Sequence, residues 1–182
     1  MSTASIVIVV AVAVIGAALI AWAWARERSK RLRAHFGPEY EHALSEYGGR
    51  AKAEHALEER QKRREKIPIH PLAEQDRDRF AQQWQRVQSL FVDDPIASIR
   101  DADRLVSAAM RARGYPMSDF ESRAADLSVD YPRVVKNYRS AHDIATRLER
   151  KQTSTEDLRQ ALVYYRDLFD ELLEAHVTGL RG

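Results

Sequence analysis

The side chains best suited to acid–base chemistry in this sequence are Asp126, Ser128, Asp130 and His142. A hydroxyl, a carboxylate and an imidazole can together supply a nucleophile, an orienting acid and a general base. His142 follows Tyr138 by four residues, however, and therefore falls on the apolar side of the helix predicted there. A histidine in that position is more often a hydrogen-bonded core residue. We predict no catalytic residue and no enzyme activity.

The segment 114–132, GYPMSDFESRAADLSVDYP, is dense in turn and capping residues. A short helix between two turns explains this composition, because every residue has a capping or packing role. The same segment could instead shape a cleft between helices. The candidate residues for that cleft are Tyr115, Asp130, Tyr138 and His142.

Metal and cofactor sites find no support in the residue pattern. The histidines at positions 35, 42, 55, 70, 142 and 176 never form HxxxH or HExxH, and the sequence has no cysteine. A Gly-rich phosphate loop does not occur. The acidic residues near the C-terminus (Asp167, Asp170, Glu171 and Glu174) lack the glycine and the alternating acids of a calcium loop. We therefore expect no cofactor and no bound metal.

Residues 6–24 form an uncharged apolar segment after a short tail at residues 1–5. A helix of this length matches a hydrocarbon core of roughly 30 Å, and we predict a transmembrane helix. A cleaved signal peptide is the alternative, since Ala21 and Ala23 imitate a cleavage site. The tail has no basic side chain, and the bulky Trp22 and Trp24 flank the alanines, which favours the anchor.

Basic residues follow the apolar segment at once, and they predict its orientation. The positive-inside rule places the N-terminus outside and the C-terminal domain in the cytoplasm. The predicted membrane-interface residues are Trp22, Trp24, Arg26, Arg28, Lys30, Arg31 and Arg33. In one interpretation the cluster only determines the orientation of the anchor, which requires such a basic flank. In the other, it also contacts anionic lipid.

Residues 25–66 are predicted to form a basic juxtamembrane stalk of solvated helices. Gly37 and Pro38 end one helix and begin the next, and Gly48–Gly49 end that one. The run RQKRREK at 60–66 is expected to be a solvated helix face because acids are interleaved with its bases. The sequence IPIHPL at 67–72 then breaks the helix.

The remaining chain is predicted to be an all-α domain, a compact bundle of four to five helices over residues 67–176 with a tail at 177–182. Each helix has one apolar stripe, such as Phe80, Trp84, Val87 and Phe91. Caps are expected at Asp94, in the Ser118–Glu121 capping box, at Asp130, and at Ser154. Period-2 alternation, which would indicate strands, is absent.

Four stretches carry a resemblance: FGPEYEHALSEYG, RFAQQWQRVQSLFVDDP, RGYPMSDFESRAADLSVDYPRVVKNYRSAH and STEDLRQALVYYRDLF. They resemble an uncharacterised family of bacterial single-pass membrane proteins, over most of residues 31–173. The resemblance implies a bacterial inner-membrane setting and supplies no activity and no catalytic residues.

The sequence favours a membrane-anchored cytoplasmic helical protein that binds another protein. One alternative is an enzyme or small-ligand binder that uses the cleft near residues 114–142. Another is a membrane-surface scaffold that binds anionic lipid through residues 26–66. The expected partners are the lipid bilayer and a protein, and the net charge of +2 argues against nucleic acid.

Overall fold

The computed structural model describes residues 3–148 and 153–174, with side chains described from residue 11 onward. Every regular element in these ranges is a helix, so the predicted all-α class is confirmed. The helices are α1 (Thr3–Phe36), α2 (Pro38–Tyr47), α3 (Arg50–Glu65), α4 (Glu74–Asp93), α5 (Pro95–Ala112), α6 (Phe120–Asp130), α7 (Val135–Leu148) and α8 (Thr155–Glu174). The predicted tail at 177–182 lies outside the described residues, as do residues 1 and 2 of the N-terminal tail.

Helix α1 continues without a break from the apolar segment into the basic one. Its apolar side chains have no protein cover: Val12, Ile15, Leu19, Trp22 and Trp24 are all about 60% exposed or more. In the part of the chain that the structure describes, no helix combines the length and the apolar character that a bilayer crossing needs. The first side chains of the predicted segment, at residues 6–10, lie outside that part.

The C-terminal end of α1 packs with α2 and α3 around a small core of its own. Gly37, at φ +48°, ends α1, and Pro38 is the first residue of α2, as predicted. Gly48 then ends α2 in the left-handed conformation. The buried side chains of this second core are Leu32, Phe36, Tyr40, Ala43, Ala53 and Leu57.

The prediction of a solvated stalk over residues 25–66 therefore differs from the structure. Phe36 and Leu57 are fully buried, and Arg60, within the run expected to be a solvated face, is only 7% exposed. The physical reason is that α3 has few apolar residues, and its buried side chains include the charged Glu54 and Arg60, which pair with residues of opposite charge. Apolar periodicity cannot register this kind of burial.

Helices α4 to α8 form the main bundle, which confirms the predicted helical bundle. Helix α5 contacts α4, α7 and α8, and α8 also packs along α7. Trp84 on α4 stacks on Phe169 of α8, with ring centroids 4.7 Å apart. The core residues include Ile99, Met110, Leu127, Tyr138 and Leu172, each with almost no exposed surface.

Two of the four predicted helix caps are confirmed, and two are wrong. Asp94 accepts from the backbone N–H of Ala97 at 2.9 Å, and Ser154 forms a reciprocal capping box with Asp157. The cap of α6, however, is Asp119 rather than Ser118. Asp130 caps no helix, because it ends α6 and its carboxylate bonds to side chains instead.

The connector between α3 and α4 packs on the end of α5. The backbone N–H of His70 donates to the carbonyl of Arg113 at 3.0 Å, and Leu72 is buried in the main core. Gly114 follows with φ +92°, and a Cβ there would lie 2.8 Å from the carbonyl oxygen of Pro68. This close approach requires glycine.

Candidate functional site

A buried carboxylate joins helices α1, α2 and α3. One oxygen of Glu54 on α3 accepts from the hydroxyl of Tyr40 at 2.8 Å and from Nε of Arg50 at 2.9 Å. The hydroxyl of Ser29 on α1 donates to the same oxygen. Burial acts to raise the pKa of Glu54, but the hydrogen bonds from Ser29, Arg50 and Tyr40 outweigh it and hold the pKa below its usual value. The carboxylate therefore stays ionised and fixes α1 against the α2–α3 hairpin.

A groove with a volume of about 720 Å³ opens beside this carboxylate, between α1 and the α2–α3 hairpin. The apolar residues in its lining are Trp22, Ala25, Leu44 and Ala51, together with Tyr40. Glu54 is the one acidic side chain in the lining. The cations that line the groove are Arg26, Arg28, Lys30, Arg33 and Arg50. The groove thus combines apolar lining residues with a strong excess of positive charge.

The lining cations differ in how firmly they are held. Arg28 pairs with Glu58, with Nη2 and Oε2 2.7 Å apart, and Arg33 pairs with Glu41 at 3.1 Å. Lys30 only approaches Glu27, at 4.0 Å, and its side chain is 65% exposed. Arg26 has no carboxylate partner among the described residues, and its guanidinium lies 5.3 Å from the ring centre of Trp22. Arg26 and Lys30 are therefore the cations best able to receive an anion.

Ion pairs join the α2–α3 hairpin to the main bundle. Glu39 on α2, which is fully buried, accepts from Arg60 of α3 and from Arg139 of α7, each at 2.9 Å. Nε of Arg63 donates to Asp126 of α6 at 2.8 Å. Burial raises the pKa of Asp126, and the guanidinium of Arg63 opposes that shift. These contacts span α2, α3, α6 and α7 and set the hairpin in a fixed position on the bundle.

The predicted interface residues all lie on α1, and most of them meet at one site. Trp22, Arg26, Arg28, Lys30 and Arg33 line the groove. Trp24 and Arg31 are exposed and do not contribute to its lining.

The four predicted cleft residues fall into two separate groups. Tyr115 donates to Asp130, whose carboxylate also accepts from Arg64, at the C-terminal end of α6. Tyr138 and His142 lie instead beside Phe120, the first residue of α6, about 15 Å away along an 11-residue helix. The two groups therefore do not converge on one reacting position.

Each group has an evident packing role. The His142 ring stacks on Phe120 with centroids 3.6 Å apart, and burial lowers the pKa of His142, which favours the neutral ring. Burial raises the pKa of Tyr138 to about 12. Burial also raises the pKa of Tyr115, so both phenols stay protonated at neutral pH.

Metal binding has no arrangement to support it in the residues described. No group of three or more His, Asp or Glu side chains within them is placed to hold an ion.

The residues that build the floor of the groove were missed in the sequence. Arg50 and Glu54 are four apart, with the base first, which is the less favourable order for a helix pair and gives little signal. A usable signal did exist across Gly37. Leu32, Phe36, Tyr40 and Ala43 continue one apolar stripe from α1 into α2, which indicates that the two helices share a core.

Comparison with known proteins identifies no relative. No protein-family model, curated protein or solved structure matches this chain.

Proposed function

We propose that this chain is a single-pass membrane protein that holds a helical domain at the cytoplasmic surface and binds a protein partner there. The observation that carries the proposal is the exposure of α1. Its side chains from Val12 to Trp24 are apolar and uncovered, while the same helix continues into a folded core at Leu32 and Phe36. An apolar helix that water would otherwise surround is stabilised by a bilayer.

The length of α1 fits this role. Its 34 residues extend about 51 Å, well beyond a hydrocarbon core of roughly 30 Å. The apolar residues 6–24 would cross the bilayer, and the basic residues from Arg26 onward would lie at the headgroups. The excess of arginine and lysine after the segment supports a cytoplasmic domain and an outside N-terminus in a bacterial inner membrane.

The packing below the membrane distinguishes this protein from a domain on a flexible tether. The Glu54 network fixes α1 to the hairpin, and the Glu39 ion pairs fix the hairpin to α7. The bundle would therefore present the same face at a constant distance from the bilayer. A rigid orientation of this kind suits a module that must meet another membrane protein.

The surface best suited to a protein partner is the α4–α5 hairpin. Val92 is 84% exposed and Ile96 is 44% exposed, both at the tip where α4 leads into α5. A groove of about 580 Å³ between α4 and α5 is lined by Arg86, Leu90, Asp101 and Arg104, among others. Exposed apolar side chains close to arginines have the composition of a protein interface.

Site-specific photocrosslinking in cells tests the partner. A photoreactive amino acid at Val92 should give a crosslinked product of one defined mass in the membrane fraction. The same amino acid at Lys136, which is exposed on α7, is the matched control and should give none. Equal products from both positions, or none from Val92, would contradict a partner at this surface.

The enzyme or small-ligand alternative is less well supported, because Tyr115 and Asp130 lie at the opposite end of α6 from Tyr138 and His142. The lipid-binding alternative has a specific observation in its favour, the cationic groove.

A further inference from the structure

The groove between α1 and the α2–α3 hairpin has features that the proposed anchoring and partner binding do not use. It presents a cation without a carboxylate partner in the described residues, Arg26, and a weakly paired one, Lys30. Arg26 lies four residues and Lys30 eight residues after Trp22, on the stretch of α1 where apolar residues give way to basic ones. Anchoring alone requires positive charge here, but it does not require a concave site.

The geometry points to one anionic phospholipid as the occupant: we propose that the groove binds its phosphate through Arg26 and Lys30 and its acyl chain along Trp22, Ala25 and Leu44. The proposal rests on the proposed membrane location of α1. It goes further because it names a defined site and a ligand class. A basic flank without such a site would attract any anionic surface equally.

The charges of the lining favour an anion. Five cations and one carboxylate, Glu54, line the groove, and that carboxylate is already occupied by three donors. A zwitterionic lipid would place its own cation among these arginines at an electrostatic cost. An anionic headgroup instead supplies a negatively charged partner for Arg26, which pairs with no carboxylate among the described residues.

The shape of the groove favours a lipid over a free phosphate ion. Trp22 and Ala25 lie on the same face of α1 as Arg26 and Ser29, at the spacing of successive helical turns. Toward the N-terminus of α1, this face continues into the exposed apolar part around Leu19. A molecule with its phosphate at Arg26 can therefore lay a hydrocarbon chain along the helix, and inorganic phosphate cannot gain that contact.

The test uses the full chain in a non-ionic detergent and short-chain lipids as probes. Dissociation constants are measured for dioctanoyl phosphatidylglycerol, dioctanoyl phosphatidylcholine and inorganic phosphate. The groove variant carries Arg26→Gln and Lys30→Gln, neither of which removes a contact of the buried network. The control carries Arg31→Gln and Lys52→Gln, which delete the same charge from exposed positions outside the groove.

We expect phosphatidylglycerol to bind the wild-type chain at least tenfold more tightly than phosphatidylcholine or phosphate. The groove variant should lose at least tenfold in that affinity, since each cation near a lipid phosphate contributes about a factor of five, and the control should keep it. Equal losses in both variants would show general electrostatic attraction and overturn the proposal. So would equal binding of inorganic phosphate, or no binding of phosphatidylglycerol.

Membrane attachment is measured separately, by carbonate extraction of cell membranes that contain each variant. The groove variant should stay in the membrane pellet, because its apolar segment is unchanged. Release of the wild-type chain by carbonate would contradict the proposed anchor. Loss of lipid affinity without release assigns the effect to the groove alone.

Discussion

Arg139 on α7 donates a hydrogen bond of 2.9 Å to Glu39 on α2, across 100 residues of sequence. Arg60 of α3 donates to the other oxygen of the same carboxylate. One buried acid thus holds two arginines from different helices and links the α2–α3 hairpin to the bundle. The orientation of the domain relative to α1 depends on this link.

Replacing Glu39 tests that link. The change Glu39→Gln leaves Arg60 and Arg139 without their shared carboxylate, and a broken buried ion pair costs about 3 kcal/mol of unfolding free energy. Urea denaturation of the full chain in detergent measures the loss. The control Glu59→Gln removes an exposed partner of Lys62 and should leave the urea midpoint unchanged. A midpoint for Glu39→Gln that equals the control would mean that the link contributes nothing.

Phe36 tests whether the end of α1 shares a folded core with the α2–α3 hairpin. The change Phe36→Ala empties a fully buried position and should cost about 3–4 kcal/mol of unfolding free energy. Val92→Ala, at a position that is 84% exposed, should change it by less than about 0.5 kcal/mol. Thermal and urea unfolding of the two variants in detergent provide the comparison. Similar small effects in both would support a solvated stalk instead.

The helix ends and the bundle could be predicted from the sequence because their causes are local. Pro38, Asp94 and Ser154 act within one helical turn, so the residues around them are sufficient. The docking of the hairpin could not be predicted in the same way. Nothing in the sequence around Glu39 or Arg139 indicates that they pair, since either could be a solvated surface residue. Their burial depends on the arrangement of α2, α3 and α7 in space.

The groove could be predicted only in part for the same reason. Arg26 and Trp22 were expected at a membrane interface from their position after the apolar segment. The floor of the groove requires Glu54 and Arg50 to meet Ser29, which is more than 20 residues away. Local periodicity contains no information on that contact.

Gly114 tests the packing of the connector against α5. The change Gly114→Ala strains a residue at φ +92° and drives its Cβ into the Pro68 carbonyl, so we expect a loss of about 2–3 kcal/mol. Gly48→Ala is the informative control, because Gly48 also has positive φ but open space around it. It should lose about 1 kcal/mol, from backbone strain alone. Equal unfolding temperatures for the two variants would show that the close approach to Pro68 has no energetic role.

The pH dependence of stability has opposite signs at Glu54 and Asp126. The pKa of Glu54 is lower in the folded chain, so its contribution is present above the ordinary glutamate pKa of about 4.3 and is lost as the pH falls below it. The pKa of Asp126 is raised by burial, so its contribution declines as the pH rises above about 3.9.

Urea midpoints between pH 3 and pH 7 check both signs. Glu54→Gln should reduce the gain in stability that the wild type shows with rising pH. Asp126→Asn should increase that gain, because it removes a contribution to stability that falls as the pH rises. The same change of slope in both variants would contradict the two assignments.

The topology of the chain in the membrane tests the central claim most directly. The sequence has no cysteine, so a single introduced cysteine is the one thiol of the chain that a membrane-impermeant maleimide can label. We predict that Ser2→Cys is labelled in intact spheroplasts, and that Ser89→Cys, exposed on α4, is labelled only after the membrane is permeabilised. Labelling of Ser89→Cys in intact spheroplasts, or recovery of the chain in the soluble fraction, would contradict a membrane-anchored cytoplasmic domain.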